Sequence, residues 1–317
     1  MTFPKEVTLE ETSCPLGCPG KDEKVLVGHD RIHGLPGDFV VVRCKTCGLM
    51  RTNPRPTPET LGFYYPDNYG PYHGTKVDPK NIPDDPLWKQ FILRMFKFNN
   101  NRLPAMQTGR MLEIGCASGA FLQRMAKRGW DVEGIEFSPV AAESARSLGY
   151  PVHIGQLETA PEPKIKYDLV VGWMVLEHLY DPIVALKKLY SWSKPNAWLV
   201  ISVPNAGSLE FRLFKEYWYA LHLPNHLYHY TPKTLASILN QTGWRIEKTF
   251  HQRTLSNLIA SLGYKMKENK WASHFADTLI GFPEQGGRIH FLLYPLAGLL
   301  SIFGQTGRMT VWANKIS

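Results

Sequence analysis

The chain has 317 residues, 44% of them hydrophobic and 20% charged, with five cysteines and a formal net charge of +8. That composition excludes a disordered chain, and the length holds one domain of ordinary size plus a small accessory one. The charge is uneven: residues 205–317 carry 12 Lys/Arg against 6 Asp/Glu, an excess that fits an anionic partner or scattered solvated lysines equally well.

The first stretch, MTFPKEVTLEET, has neither a basic start nor an apolar run, so no secretory leader is read and the expected location is cytoplasmic. Cys14-Pro-Leu-Gly-Cys18 and Cys44-Lys-Thr-Cys47-Gly48 then follow, with 25 residues between them. Outside an exported chain, paired cysteines favour a metal over disulfides. Two tight turns, each offering two thiolates, supply the four ligands of a tetrahedral Zn2+. Residues 1–56 are therefore predicted to form a zinc-ribbon-like module. The zinc is expected to be structural, because so short a segment has little core of its own.

Asn53-Pro-Arg-Pro-Thr-Pro58 reads as an extended connector, and Tyr64-Tyr-Pro-Asp-Asn-Tyr69 as an aromatic loop. Leu87, Phe91, Ile92, Met95 and Phe96 stand at helical spacing, predicting an amphipathic helix over 87–98 within a linker of 57–104. From 105 onward short apolar runs alternate with helical patterns. Strands are predicted at 111–115, 132–136, 167–173, 198–203 and 244–250, and helices near 119–128, 139–148, 181–192 and 233–242. Such alternation means an α/β fold, a doubly wound, mostly parallel sheet covered on both faces. The last run, 244–250, alternates like an outer strand, and 309–315 is a plausible final one.

Between these two lies Phe291 to Phe303, 13 residues of nearly unbroken apolar character, too short to span a bilayer. A buried helix is the favoured reading, although Pro295 and Gly298 would interrupt it. The alternative is peripheral contact with an anionic membrane, since residues 251–317 carry 7 Lys/Arg against 3 Asp/Glu.

In a doubly wound sheet the ligand crevice lies beyond the carboxyl ends of the strands. The turn Glu113-Ile-Gly115-Cys-Ala-Ser-Gly119 stands at such an end, and its small residues let backbone approach a ligand. The next strand ends in Glu136, whose carboxylate can accept hydrogen bonds from both hydroxyls of an adenosine ribose. Here the sequence resembles a known family. Leu112-Glu-Ile-Gly-Cys-Ala-Ser-Gly-Ala-Phe121, Gly134-Ile-Glu-Phe-Ser-Pro139 and Leu176-Glu-His-Leu179 look like successive motifs of class I S-adenosylmethionine-dependent methyltransferases. The resemblance covers 110–250 and implies a seven-stranded Rossmann-like domain over 105–317. Within it, 205–232 would cap the acceptor site and 251–309 would be a C-terminal insertion. It implies cofactor contacts at Glu113, Gly115, Cys116, Gly119, Glu136, Phe137, Gln156, Leu157 and Trp173. Ala117 replaces the more frequent Gly. The N-terminal half is similar to bacterial methyltransferases fused to a zinc ribbon, often tied to glycan, lipid or natural-product assembly.

The spacing Gly115-x-x-x-Gly119 differs from the G-x-G-x-x-G of dinucleotide dehydrogenases, and Cys116 reads as a small packing residue rather than a nucleophile. His178, after the fourth strand, and His226, in Leu223-Pro-Asn-His-Leu-Tyr228, are the candidate catalytic bases. Ubiquinone-type O-methyltransferases bind a divalent cation through a Glu-x-x-Glu-His run, where Met174 here replaces the first Glu. The acceptor is read as a small molecule, glycan or glycolipid, with O-methylation first. An RNA methyltransferase and a non-catalytic cofactor-fold protein are the alternatives. Against RNA, the basic excess is not in the zinc module. Nothing in the sequence sets the oligomeric state.

Overall fold

The computed structural model describes residues 3–66, 102–271, 273–285 and 289–315, so the helix expected over 87–98 lies outside the described residues. The N-terminal segment contributes β1 (Leu9–Glu10), β2 (Asp22–His29), β3 (Asp38–Cys44), β4 (Met50–Thr52) and β5 (Arg55–Pro56). Then come β6 (Arg110–Ile114), α1 (Ala120–Ala126), β7 (Asp131–Glu136), α2 (Pro139–Ser147), β8 (Val152–Ile154) and β9 (Tyr167–Trp173). The chain continues with α3 (Pro182–Trp192), β10 (Ser193–Pro204), α4 (Leu209–Phe214), β11 (Tyr228–His229), α5 (Pro232–Gln241) and β12 (Trp244–His251). It closes with α6 (Ser256–Glu268), α7 (Ser273–Ile280), α8 (Phe282–Gln285), α9 (Ile289–Ile302) and β13 (Arg308–Lys315).

Seven strands form the main sheet in the order β12-β13-β10-β9-β6-β7-β8. β8, β7, β6, β9 and β10 run parallel, while β13 lies antiparallel between β10 and β12. The unbroken apolar runs follow from this position: Leu169-Val-Val171 and Leu199-Val-Ile201 are buried on both faces by helices. Three helices start by one device, a polar cap followed by proline. Ser138, Asp181 and Thr231 accept hydrogen bonds from the first-turn amides of α2, α3 and α5, while Pro139, Pro182 and Pro232 occupy the position whose N–H would have no partner.

The strand order reverses at β6. From it the chain moves outward to β7 and β8, then returns to β9 on the other side, leaving a crevice at the carboxyl end of β6.

The N-terminal strands make a second, antiparallel sheet, β11-β4-β3-β2. Its outer strand β11 comes from the 205–232 segment, pairing Tyr228 with Arg51 and His229 with Met50. Cys14, Cys44 and Leu49 are buried in the same apolar cluster as Leu176, Leu227 and Tyr230. The cysteine-bearing N-terminal segment and the 205–232 segment are thus packed together. Arg55 fastens it further, donating to the carbonyl of Tyr180 at 3.0 Å and stacking on that ring.

The 291–303 segment departs from the favoured reading. It is helical as far as Ile302, since Pro295 in the second turn removes only one hydrogen bond, yet Leu292, Leu296, Leu299, Ile302 and Phe303 are exposed. Among the described residues no helix is long and apolar enough to cross a membrane.

Candidate active site

The β6–α1 turn is a left-handed ladder, with Gly115 at φ 66°, Ala117 at φ 46° and Gly119 at φ 82°. Glycine serves packing here as much as ligand approach. A Cβ on Gly115 would collide with the Val175 side chain, and one on Gly119 would stand 2.8 Å from Ala145 of α2. Ala117 accepts its positive φ, and its amide donates to Glu136 Oε2 at 2.8 Å. The Ser138 amide donates to Oε1, also at 2.8 Å. Burial pushes the Glu136 carboxyl up, while the amides of Ser138, Ala117 and Phe137 oppose it. The result is a carboxylate fixed at the tip of β7 with lone pairs left for a ligand.

Glu136 faces a cavity of about 340 Å³, within the range of about 300–1,000 Å³ usual for small-molecule sites. Gly115, Glu136, Phe137, Gln156, Leu157 and Trp173 line it, six of the nine positions expected to touch cofactor. Trp173 carries an indole N–H that is buried and without a hydrogen-bond partner. Glu113, Cys116 and Gly119 do not line it. Glu113 is buried behind the turn, where burial lifts its carboxyl well above the ordinary range and Arg124 opposes the lift. Cys116 is packed with Leu122 and Met125 against Gly134, where a Cβ would come 2.6 Å from its sulfur. Burial also pushes its thiol up, which removes any nucleophilic role.

The opposite wall was not foreseen as part of the site. Pro58, Leu61, Gly62 and Tyr65 reach in from the end of the N-terminal segment, and Leu179 and Tyr180 come from the loop after β9. The Tyr64-Tyr65 pair was visible in the sequence, but nothing local said which surface it would meet.

Between these walls stands His178, the only candidate base that lines the cavity. Its Nδ1 lies 2.9 Å from the Asn225 carbonyl oxygen and 3.0 Å from the Tyr65 hydroxyl. A carbonyl only accepts, so Nδ1 carries the proton and Nε2 keeps its lone pair. His226 stands one ring behind, its centroid 4.7 Å from that of His178, and donates from Nδ1 to the Ala220 carbonyl at 2.9 Å. His222 completes a three-ring cluster, 4.8 Å from His226. Burial drives His178 down to about 4 and His222 to about 3, and holds His226 well below the ordinary value. All three rings are neutral at neutral pH. Beside them, burial lifts the Glu177 carboxyl to about 8, against the pull of its own amide and of Arg308. Glu177, His178 and His226 each bring a potential ligand atom within 4.8 Å of the others.

The four cysteines also converge. Their sulfurs all lie within 4.8 Å of one another, and Cys14 and Cys47 are 3.5 Å apart, close to the roughly 3.8 Å edge of a zinc–thiolate tetrahedron. Burial pushes Cys14 up to about 11 and raises Cys18 and Cys47. It opposes ionisation at Cys44 too, but the backbone amides of Cys47 and Thr46 outweigh it and bring that thiol to about 7. A set of thiols drawn together this closely fits a divalent metal, which would stabilise all four thiolates.

Residues 84–249, 166 of the 317, match the family described as "Methyltransferase domain". The chain belongs to that family. Among curated proteins it is 30% identical over 118 residues to a ubiquinone biosynthesis O-methyltransferase of Bordetella avium, covering 34% of this chain and 47% of that protein. It is also 30% identical over 152 residues to the protein of the same name from Xanthomonas euvesicatoria, covering 44% and 63%. The chain spans about half the length of the curated relatives it matches. Among solved structures, a SAM-dependent methyltransferase from Archaeoglobus fulgidus is 22% identical, with 72% of this chain and 93% of that chain covered at a TM-score of 0.44.

Proposed function

We propose that the chain transfers a methyl group from S-adenosylmethionine to a small-molecule, glycan or lipid-linked acceptor, with a hydroxyl the favoured nucleophile. One observation carries the reading: a single cavity joins the Glu136 carboxylate to the His178 imidazole. The curated relatives' shared name, an O-methyltransferase, supports a hydroxyl. The cofactor, when bound, supplies an electrophilic methyl on a sulfonium. Glu136 would accept the ribose hydroxyls, and Phe137, Gln156 and Leu157 would flank the adenine. Trp173 offers its buried N–H to the same ligand.

The protein's remaining tasks are placement and dryness. Leu61, Leu179 and Tyr180 wall the acceptor end with apolar surface. His178 holds its tautomer through Asn225 and takes the hydroxyl proton on Nε2. A base near 4 does so only as the new carbon–oxygen bond forms and the oxygen becomes acidic. His226 positions that ring from behind.

The cysteine cluster is proposed to hold one structural Zn2+. Nucleic acid is not the proposed partner, because the module's buried arginines point inward. Arg51 is bidentate on Asp22, and Arg55 is spent on Glu10 and Tyr180. The proposed location is cytoplasmic.

Calorimetric titration tests the reading. One S-adenosylmethionine site per chain, blocked by S-adenosylhomocysteine, is expected, and a wild-type protein that binds neither ends it.

A further inference from the structure

The stretch 289–307 contains no Asp, Glu, Lys or Arg. Within it Leu292, Leu296 and Leu299 repeat at intervals of four and three, one side of a helix for roughly 10 Å, and Phe303 follows just past the helix end. Ile302 lies beside them. This side faces solvent: Leu292 is 80% exposed and Ile302 74%, while Ala297 and Ser301 on the other side are buried. An apolar stripe of this length, in the open, is unusual for a surface helix, whose outer face is normally polar.

The helix is held against the edge strand β12 with the stripe turned away. Arg253 donates to the Tyr294 hydroxyl at 2.9 Å, and at the far end a Cβ on Gly304 would stand 3.2 Å from the His251 ring. The ionic groups along that edge are mostly cations. Arg102 and Lys248 both lie over the Phe250 ring, at 5.6 Å and 5.0 Å, and Arg102 feels the charge of Arg253. The acid of this strand, Glu247, is paired with Arg245 at 2.8 Å.

We propose that the outward face of α9 rests on an anionic phospholipid bilayer, with Arg102, Lys248 and Arg253 against the headgroups. The apolar stripe lies on one side of α9 and the cations that meet Tyr294 on the other, the same order as acyl chains below and phosphates above in that surface. A protein partner would be met by polar groups of both signs at the rim. The inference concerns where the chain sits and goes beyond the methyl-transfer reading.

The test is cosedimentation of the full chain with vesicles of phosphatidylglycerol and phosphatidylcholine in equal parts, and with phosphatidylcholine alone. Binding is expected to the anionic vesicles at low salt and to weaken about tenfold at high salt or without phosphatidylglycerol. Leu296→Asp with Leu299→Asp should weaken it about tenfold or more, because both methyl-rich side chains leave the acyl region. Arg102→Gln and Lys248→Gln should each cost about fivefold. All four positions are clear of the cavity, so affinity for S-adenosylmethionine checks that the variants fold. No binding to anionic vesicles overturns the proposal, as does binding unchanged in the double Asp variant. A dimer by light scattering that the double Asp variant dissolves also overturns it, since a second copy then covers the stripe. A chain that binds the cofactor but no vesicles loses this inference alone, and one that binds vesicles but no cofactor loses only the methyl-transfer reading.

Discussion

The two halves of the cavity are built in opposite ways. The half around Glu136 is local: two strand ends and the turns that follow them supply Gly115, Ala117, Glu136 and Phe137 within 23 residues. The half around His178 is assembled from a distance. Tyr65 arrives from the N-terminal segment, His178 from the loop after β9, and Asn225 from a loop stitched onto β4 through β11. The first half depends on backbone geometry at one sheet edge. The second depends on a whole module staying in place, which makes it the easier half to break.

The cysteine cluster offers the largest break. Cys44→Ser with Cys47→Ser should remove about one zinc per chain by metal analysis. It should also abolish methyl transfer, because β3 and β4 carry β11 and the loop of Asn225 with them. Stoichiometric zinc in that double variant would remove the four-cysteine site. Next in size, His178→Ala should lower kcat by about 10²–10⁴ and leave cofactor affinity within about twofold. In the wild-type protein the rate should be flat above about pH 5 and fall as His178 protonates near 4.

Glu136→Ala breaks the other half. It should weaken S-adenosylmethionine by about 1.5–3 kcal/mol for each charge-assisted hydrogen bond lost, read by calorimetry, and leave zinc content unchanged. The smallest effect concerns Glu177. Its carboxyl keeps a proton to about 8 in the folded chain but releases it near the ordinary 4.5 when unfolded. The stability this proton contributes is therefore complete at low pH and lost as pH rises through 8. Glu177→Gln, always neutral, should flatten the decline between about pH 4.5 and 8 by roughly a few degrees of Tm, and an unchanged slope would place the ionisation elsewhere.

The same asymmetry governs what the sequence revealed. The central strands β9 and β10 were legible because they are buried on both faces and so read as apolar runs, while the outer strand β12 was legible by its alternation and the three-residue β8 gave no signal. Glu136 was legible because it sits at a fixed distance past the glycine turn. Cys14, Cys18, Cys44 and Cys47 announced themselves by spacing. Tyr65 did not, since the surface an aromatic loop meets is set by packing some 110 residues away along the chain, as its bond to His178 shows. His226 was visible as a residue, but its place behind His178 was not, because that order depends on the β11–β4 pairing. The exposed α9 stripe was misjudged for a related reason. Apolar composition registers that a segment avoids water, and says nothing of whether protein or another medium covers it.

The strand β11 has a consequence for how the protein comes off the ribosome. β4 emerges at residue 52, but the strand that completes its edge follows only at 228–229, about 176 residues later. At about 5–20 residues per second, the edge of β4 stays open for roughly 10–35 s of synthesis. Thr52, whose amide and hydroxyl later bond the carbonyls of Leu227 and His226, has neither partner during that time. The nascent N-terminal sheet is thus a window for mispairing between neighbouring chains, and it closes only when the loop carrying His226 has been made.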